Sequence, residues 1–315
     1  MKTIQQTVVP ALHTGKRKRN MTPYVFIAPF LIILVVFHLA PILFTFVISF
    51  TRWDGLSPMK FAGLANYSRL LFRDNRFFLT IYNTFIIMLL SMPVNIAFAL
   101  VISHLMNSRL MRFRRFFQLS NFLPYITTPV AIGLIWAILF DWKYGTINRI
   151  LVNTGLVGEP VNWLGNPGFA RVVLALIIIW KNYGYLSVLF LAGISAISME
   201  IYEAAIVDGA TSLQTFFRIT IPLLKPVLTF VIVTGVIGGL QLFEEPFLLF
   251  SGGLTGPQPF GGPELACLTM VMNFYDAAFQ YFDFGFGAAI AYGMFLVIAV
   301  FSFASLKMMM RGEDK

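Results

Sequence analysis

The sequence predicts an all-α membrane protein with six transmembrane helices. Three observations carry this: composition, run length and the placement of charge. Of 315 residues 58% are hydrophobic and only 12% charged, against about 45–50% and about 25% in soluble globular chains. Such a chain in water would expose large apolar patches, so a bilayer is its natural solvent. Six segments are long enough to cross about 30 Å of hydrocarbon at about 1.5 Å per residue. Lipid admits only helices or closed barrels, and barrel strands would need alternation over about 10 residues, which these runs lack.

The first span is expected over 24–50, the second over 77–106 and the third over 116–140, none holding Asp, Glu, Lys or Arg. The fourth, over 172–199, holds Lys181. The fifth, over 223–250, is interrupted by Glu244 and Glu245, and the sixth covers 284–306. The basic run Lys16–Arg19 before the first span resembles the start of a signal peptide. The apolar run behind it is far longer than the 7–15 residues of such a segment, so it reads as an uncleaved span. The lone Cys267 excludes an internal disulfide framework and a cysteine metal site. His38 and His104 are isolated and read as packed or interfacial residues; no metal site is expected.

Fourteen of the 23 Lys and Arg fall on the side of the N-terminus: Lys2, Lys16, Arg17, Lys18, Arg19, Arg109, Arg112, Arg114, Arg115, Arg218, Lys225, Lys307, Arg311 and Lys315. The positive-inside rule therefore places both termini in the cytoplasm. The net charge of +9 then belongs to topology, with lipid as its partner, and not to nucleic acid. The basic run Arg109–Arg115 is suited to anionic lipid or to fixing topology. The expected organisation is a tail over 1–22, one six-helix domain over 23–311 and a tail over 312–315. The outer loops, 51–76, 141–171 and 251–283, are too short for domains of their own. No repeat of 20–50 residues is evident.

One cytoplasmic loop, 200–222, is unusually patterned. Glu200, Glu203, Ala204 and Ala205 favour helix, and Gly209 is placed to end it with a left-handed residue. Thr211 with Gln214 fits a capping box that opens a second short helix, and Pro222 marks the start of the next span. Tyr202, Ala205, Ile206 and Gly209 fall at i, i+3, i+4 and i+7, one apolar face rich in small residues. Such a face fits a groove on another protein; a helix lying on lipid is the alternative.

This loop resembles the EAA loop of ABC importer permeases: Glu203-Ala204-Ala205, three residues, Gly209, nine residues, Ile219, then Ile221-Pro222. Leu is usual where Ile221 stands. "FAGLANYSRLL" (Phe61 to Leu71) is similar to a segment of MalF-type sugar permeases, and "GGLQLFEEPFLL" to the carbohydrate-uptake branch. The resemblance implies a type I ABC importer permease fold in a bacterial cytoplasmic membrane, a transport subunit and not an enzyme, carrying a sugar such as an oligosaccharide or glycoside. It further implies that Glu203 to Gly209, including Ala204, Ala205 and Asp208, form a coupling helix, with Ile219 and Pro222 completing the loop. The implied partners are two cytoplasmic P-loop ATPase subunits, a second, MalG-like permease and an extracytoplasmic sugar-binding protein. No cofactor is expected on this chain. It lacks G-x-x-x-x-G-K-[ST], so ATP and Mg²⁺ would sit on the partner ATPase.

Charged residues inside spans usually face the bundle interior or a water-filled path. Trp180, Lys181, Asn182 and Tyr183 form a consecutive group suited to stacking on a sugar and bonding its hydroxyls. Gln241, Glu244 and Glu245 are candidates for the same path. The competing reading is an ion pair between Lys181 and Glu244 or Glu245, with Pro246 as a kink; both readings stand open. The outer loop Gly252–Gly262 is either a connector or a contact for the binding protein. A proton-coupled secondary transporter using Glu244, Glu245 and Lys181 is the alternative function. It would need no EAA loop, and the absence of a repeat fits it poorly. An intramembrane enzyme finds no H-E-x-x-H or G-x-S-x-G motif.

Overall fold

The computed structural model describes residues 22–107, 113–250 and 259–310. Expectations for Lys2, Lys16–Arg19, Arg109, Arg112, Arg311, Lys315 and residues 252–258 of the outer loop lie outside them. The chain forms two compact units, Met1–Val47 and Ile48–Lys315.

In the first unit a helical run starts with α1 (Thr22–Leu34), passes through one π turn at Val35–Leu39 and enters α2 (Ala40–Ser49), whose last two residues, Ile48 and Ser49, belong to the second unit. Pro29 lies inside α1, where the missing N–H leaves a carbonyl one turn back without its helical partner.

The second unit begins with a corner built by Phe61 to Tyr67, which read F-x-G-L-x-N-Y within the stretch FAGLANYSRLL. Strands β1 (Thr51–Arg52) and β2 (Lys60–Phe61) pair antiparallel, and α3 (Ala65–Phe72) follows. Gly63 takes φ 56° to make the turn, a conformation open to glycine without penalty. Asn66 is buried and donates through Nδ2 to the Ser49 carbonyl at 2.9 Å and the Thr51 carbonyl at 2.8 Å. Tyr67 bonds Ser49 Oγ at 2.7 Å. In the turn 54–57 two backbone N–H groups and the Ser57 hydroxyl donate to Asp54 Oδ1. These bonds favour the carboxylate and hold its pKa down at about 2.

Next come α4 (Asn75–Asn107), α5 (Arg114–Ile126), α6 (Pro129–Leu139), α7 (Thr146–Asn153) and α8 (Pro167–Ser195). The third expected span is not one straight helix: α5 and α6 meet at 92°. Thr127 and Thr128 are extended there, with ψ 140° and 135°; Thr128 is so because it directly precedes Pro129, and the residue before a proline is pushed out of the helical region. At 13 and 11 residues, neither half reaches across about 30 Å alone. Among the described residues five helices are long and apolar enough to span, or six if the bent pair is counted. The start of α8 is set by Asn166, whose side chain caps the N–H groups of Gly168 and Phe169, with Pro167 behind it.

After α8 the chain forms α9 (Met199–Val207) and α10 (Ser212–Thr215), then a π turn at Phe216–Thr220 and the single turn α11 (Ile221–Leu223). A turn at Leu224 precedes α12 (Lys225–Leu240). The fifth span thus starts at Lys225, with Pro226 in its first turn, and not at Pro222. It breaks at 241–243 before α13 (Glu244–Phe250). Pro246 sits in the first turn of α13, where a proline costs nothing, so it is no mid-helix kink. Finally α14 (Met270–Tyr275) and a π turn lead to α15 (Phe284–Met310).

Three apolar clusters hold this unit together. The first joins α4, α6, α8 and α13 around Ile87, Leu174 and Phe250. The second joins α3, α4, α14 and α15 around Leu70, Phe77 and Ile290. The third joins α4, α8, α12 and the 216–220 turn around Phe190 and Leu224. Helices close up where a side chain would intrude: a Cβ on Gly184 would overlap the Asn121 carbonyl, bringing α8 against α5. The segment after residue 258 is pinned from both sides. Asn83 Nδ2 donates to the Leu265 and Leu268 carbonyls, and Arg171 donates to the Ala266 carbonyl and to Asn83 Oδ1. Cys267 is fully buried in that segment, and burial pushes its thiol up to about 12 despite the nearby Arg171.

Candidate functional site

A cavity of about 570 Å³ opens between α4, α8, α12 and the 241–245 break. On α8, Ile178, Asn182, Tyr185 and Leu186 reach it, spaced i, i+4, i+7 and i+8 on one helical face. On α4 the polar members are Ser91 and Asn95. On α12 the face is Thr234, Gly235, Gly238 and Gly239. Gly235 and Gly239 have the Met92 and Met88 side chains where a Cβ would stand, while a Cβ on Gly238 would meet nothing within 4 Å. The glycines therefore let α4 approach α12 and keep the cavity open beside Gly238.

The break at 241–243 and the first turn of α13 carry Gln241, Leu242, Phe243, Glu244 and Glu245 to the same wall. Lys181 Nζ lies 2.7 Å from Glu245 Oε1 and 3.5 Å from Glu244 Oε2. The Lys181 and Glu245 side chains are 14% and 10% exposed, that of Glu244 58%. The short pair ties α8 to α13 at membrane depth. The longer contact leaves the Glu244 carboxylate largely open.

Of the seven residues proposed for the pathway, Asn182, Gln241, Glu244 and Glu245 line the cavity and Trp180, Lys181 and Tyr183 do not. The reason is helical geometry, since neighbours in sequence point about 100° apart. Trp180 turns into the first core cluster and meets Trp136 edge to face at 5.9 Å. Tyr183 donates its hydroxyl to Asn121 Oδ1 at 3.0 Å and lies edge-on to Phe98. Ser91, Asn95, Tyr125, Tyr185 and Thr234 line the wall and escaped the sequence reading. A signal existed on α4, where Thr80, Thr84, Ser91 and Asn95 recur on one face of an apolar run. All four are buried. Tyr125 and Tyr185 stack on each other at 4.6 Å, with rings 11° from parallel.

The second feature is the segment between α8 and α12. Ser198 caps α9 by accepting from Glu200 N. Gly209 has φ 75°, and its N–H reaches the Ile206 carbonyl while Ala210 N reaches that of Ala205, the bonding of a glycine-terminated helix end. Thr211 and Gln214 form a complete capping box. The small-residue face lies differently from its expected position. Ala205 is buried and Tyr202 bonds Thr220 Oγ1 at 3.2 Å, so those two members of the stripe face the protein while Ile206 and Gly209 face outward. The outer face holds Glu203, Ala204, Asp208 and Gly209, all exposed, with Ile206 and Val207 at 71% and 86% exposure. Ile219 is half-buried and Pro222 exposed. Glu203 makes no ion pair within the described residues. His104, near the end of α4, packs its ring on Phe216 at 4.7 Å, which joins this segment to the cavity-lining helix. No group of His, Cys, Asp and Glu among the described residues is arranged to hold a metal.

Residues 61–310 match the family described as the binding-protein-dependent transport system inner membrane component. The lactose transport system permease protein LacF of Rhizobium radiobacter is 34% identical over 289 residues, covering 91% of this chain and 94% of that one. The arabinooligosaccharides permease protein AraP of Bacillus subtilis is 33% identical over 293 residues, covering 92% and 89%. A crystal structure of a bacterial ABC transporter that imports the acidic polysaccharide alginate contains a chain of the same fold. Its TM-score is 0.78 at 24% identity, covering 93% of this chain and 96% of that one. The resemblance read from the EAA and F-x-G-L-x-N-Y residues, and the multi-pass helical fold, therefore stand on independent findings. The chain belongs to the family of binding-protein-dependent transport system inner membrane components.

Proposed function

We propose that this chain is one permease subunit of an ATP-driven importer for a sugar, an oligosaccharide or glycoside, and forms half of its translocation path. The observation that carries the reading is the exposed helix–glycine–helix at 199–223, in the EAA spacing, on a chain without an ATP-binding loop. An exposed apolar pair, Ile206 and Val207, beside exposed Glu203 and Asp208 is the surface a partner groove would take. Glu203, Ala204, Ala205, Asp208, Gly209, Ile219 and Pro222 form this docking element, and two P-loop ATPases carrying ATP and Mg²⁺ dock on it. Both termini and the docking element lie in the cytoplasm, by the distribution of Lys and Arg. The sugar assignment is supported by similarity to lactose and arabinooligosaccharide permeases. The wall of Asn182, Gln241, Glu244 and Glu245 is the substrate surface, with Tyr125 and Tyr185 offering aromatic faces. A second, homologous permease completes the path, and an extracytoplasmic binding protein delivers the sugar.

The test is to tag the chain, extract it in mild detergent from its own host and identify what co-purifies. A P-loop ATPase and a second permease in stoichiometric amounts would establish the assembly. Isolation alone or as a homodimer would overturn it and favour proton-coupled transport through Glu244 and Glu245.

A further inference from the structure

The cavity wall shows charge of only one sign. Glu244 and Glu245 line it, and none of its lining residues is Lys, Arg or His. Among the described residues the one ammonium within reach, on Lys181, sits 2.7 Å from Glu245 and 3.5 Å from the largely exposed Glu244. One cation against two carboxylates leaves one negative charge uncompensated, and it resides on Glu244. Asn95, 5% exposed at the same wall, keeps its carbonyl Oδ1 without a donor. The other polar members bring hydroxyl, phenol and amide groups. A carboxylate bound in such a site needs a guanidinium or ammonium facing it, and among the described residues none lines this wall, Lys181 being taken up by Glu245. A hydroxyl needs an acceptor, and the wall supplies carboxylate and amide oxygens.

We propose that this half of the path is an electronegative filter: it passes neutral, hydroxyl-rich sugars and excludes carboxylated or sulfonated ones, with Glu244 as the residue that sets the selection. The low-dielectric walls concentrate the field of that carboxylate across the opening, so an anion meets repulsion where a neutral polyol meets hydrogen-bond acceptors. The inference rests on the cavity being the pathway, as proposed above. It sets this chain apart from the alginate importer that shares its fold, since fold likeness does not carry the charge of the wall.

The experiment reads the charge of the cavity directly. Gly238→Cys places a thiol in open space on the wall, and Thr234→Cys gives a second position should the first fail to reach the membrane. Each is made with Glu244 intact and with Glu244→Gln, in vesicles carrying the assembled transporter. Modification rates are measured with three methanethiosulfonates of similar size: hydroxyethyl, trimethylammonioethyl and sulfonatoethyl. The sulfonate stands in for an acidic sugar. Native Cys267 is fully buried with its thiol pushed up to about 12, so it stays silent. The expected result is that the ratio of cationic to sulfonate rates falls about tenfold on Glu244→Gln, with the hydroxyethyl rate unchanged. Equal ratios with and without Glu244, while the neutral reagent still reacts, would overturn the filter and leave the pathway standing. A sulfonate that reacts faster than the cation, relative to the Gln form, would overturn it likewise. Failure of all three reagents at both positions would mean a dry wall, and both the pathway and the filter would fall.

Discussion

Lys181 is the residue whose neighbours decide most about the membrane interior. Its ammonium satisfies Glu245, and the pair bridges α8 to the start of α13. Removing one partner of such a pair leaves a charge with nothing facing it, which costs about 3–5 kcal/mol when the pair is buried and less where water reaches it. Lys181→Met is therefore expected to lower both thermal stability and uptake. Lys181→Met combined with Glu245→Met should recover most of the stability, as read by the unfolding midpoint of the purified assembly. If the single variant matches the parent in both readouts, the bridge has no structural weight. Tyr185 tests a different role, since its ring stacks on Tyr125 at the cavity wall. Tyr185→Ala should raise the sugar concentration for half-maximal uptake several-fold while leaving the amount in the membrane unchanged. A defect confined to expression would instead mark the tyrosine pair as packing.

At the scale of elements, the segment from α9 to α11 is the one whose sequence and structure agree most closely. The Gly209 turn and the Thr211–Gln214 box are local devices, set by neighbours within a few residues, and such devices are legible in a chain. Gly209→Asp puts a charged side chain where nothing lies within 4 Å, so it meets a docked partner and clashes with no atom of this chain, although the left-handed φ of 75° adds backbone strain at the turn. It is expected to abolish uptake and ATPase stimulation with normal membrane levels; wild-type uptake in that variant would remove the docking element from the proposal. Thr211→Ala should act more mildly, loosening the second helix by about 1 kcal/mol through loss of the cap, and is checked by hydrogen exchange at residues 212–215. The broken third span was written in "TTP" (Thr127 to Pro129), but run length and apolarity overrode that signal. Counting apolar residues cannot separate one straight helix from two that meet at an angle.

At the scale of the whole molecule, the membrane-depth surface is assembled from segments far apart in sequence. Ser91 and Asn95, Asn182, Thr234 and Glu244 meet only because α4, α8, α12 and the break after α12 converge. The convergence depends on glycines that admit close approach, while Asn66 clamps a separate corner between Ser49 and Thr51. Asn66→Ala removes two hydrogen bonds to backbone carbonyls in a buried corner, each worth about 0.5–1.5 kcal/mol. It is expected to reduce the folded, membrane-inserted fraction markedly, measured by size-exclusion after detergent extraction. An unchanged profile would mean the corner is held by the strand pair and Tyr67 alone.

What the sequence determined by itself was what depends on composition and short-range order: a membrane solvent, helical spans, the helix–glycine–helix at 199–223 and the family motifs. These follow from transfer free energy summed along each run, and from dihedral preference and capping chemistry that act within a few residues. Which side chains share a surface was decided by the tertiary structure. Trp180, Lys181, Asn182 and Tyr183 stand side by side in the chain, yet the helix turns them to a core, an ion pair, a cavity and a neighbouring helix. Asn95 and Glu244, 149 positions apart in the numbering, reach one wall, because helix rotation and close packing between helices, not sequence proximity, fix where a side chain ends up.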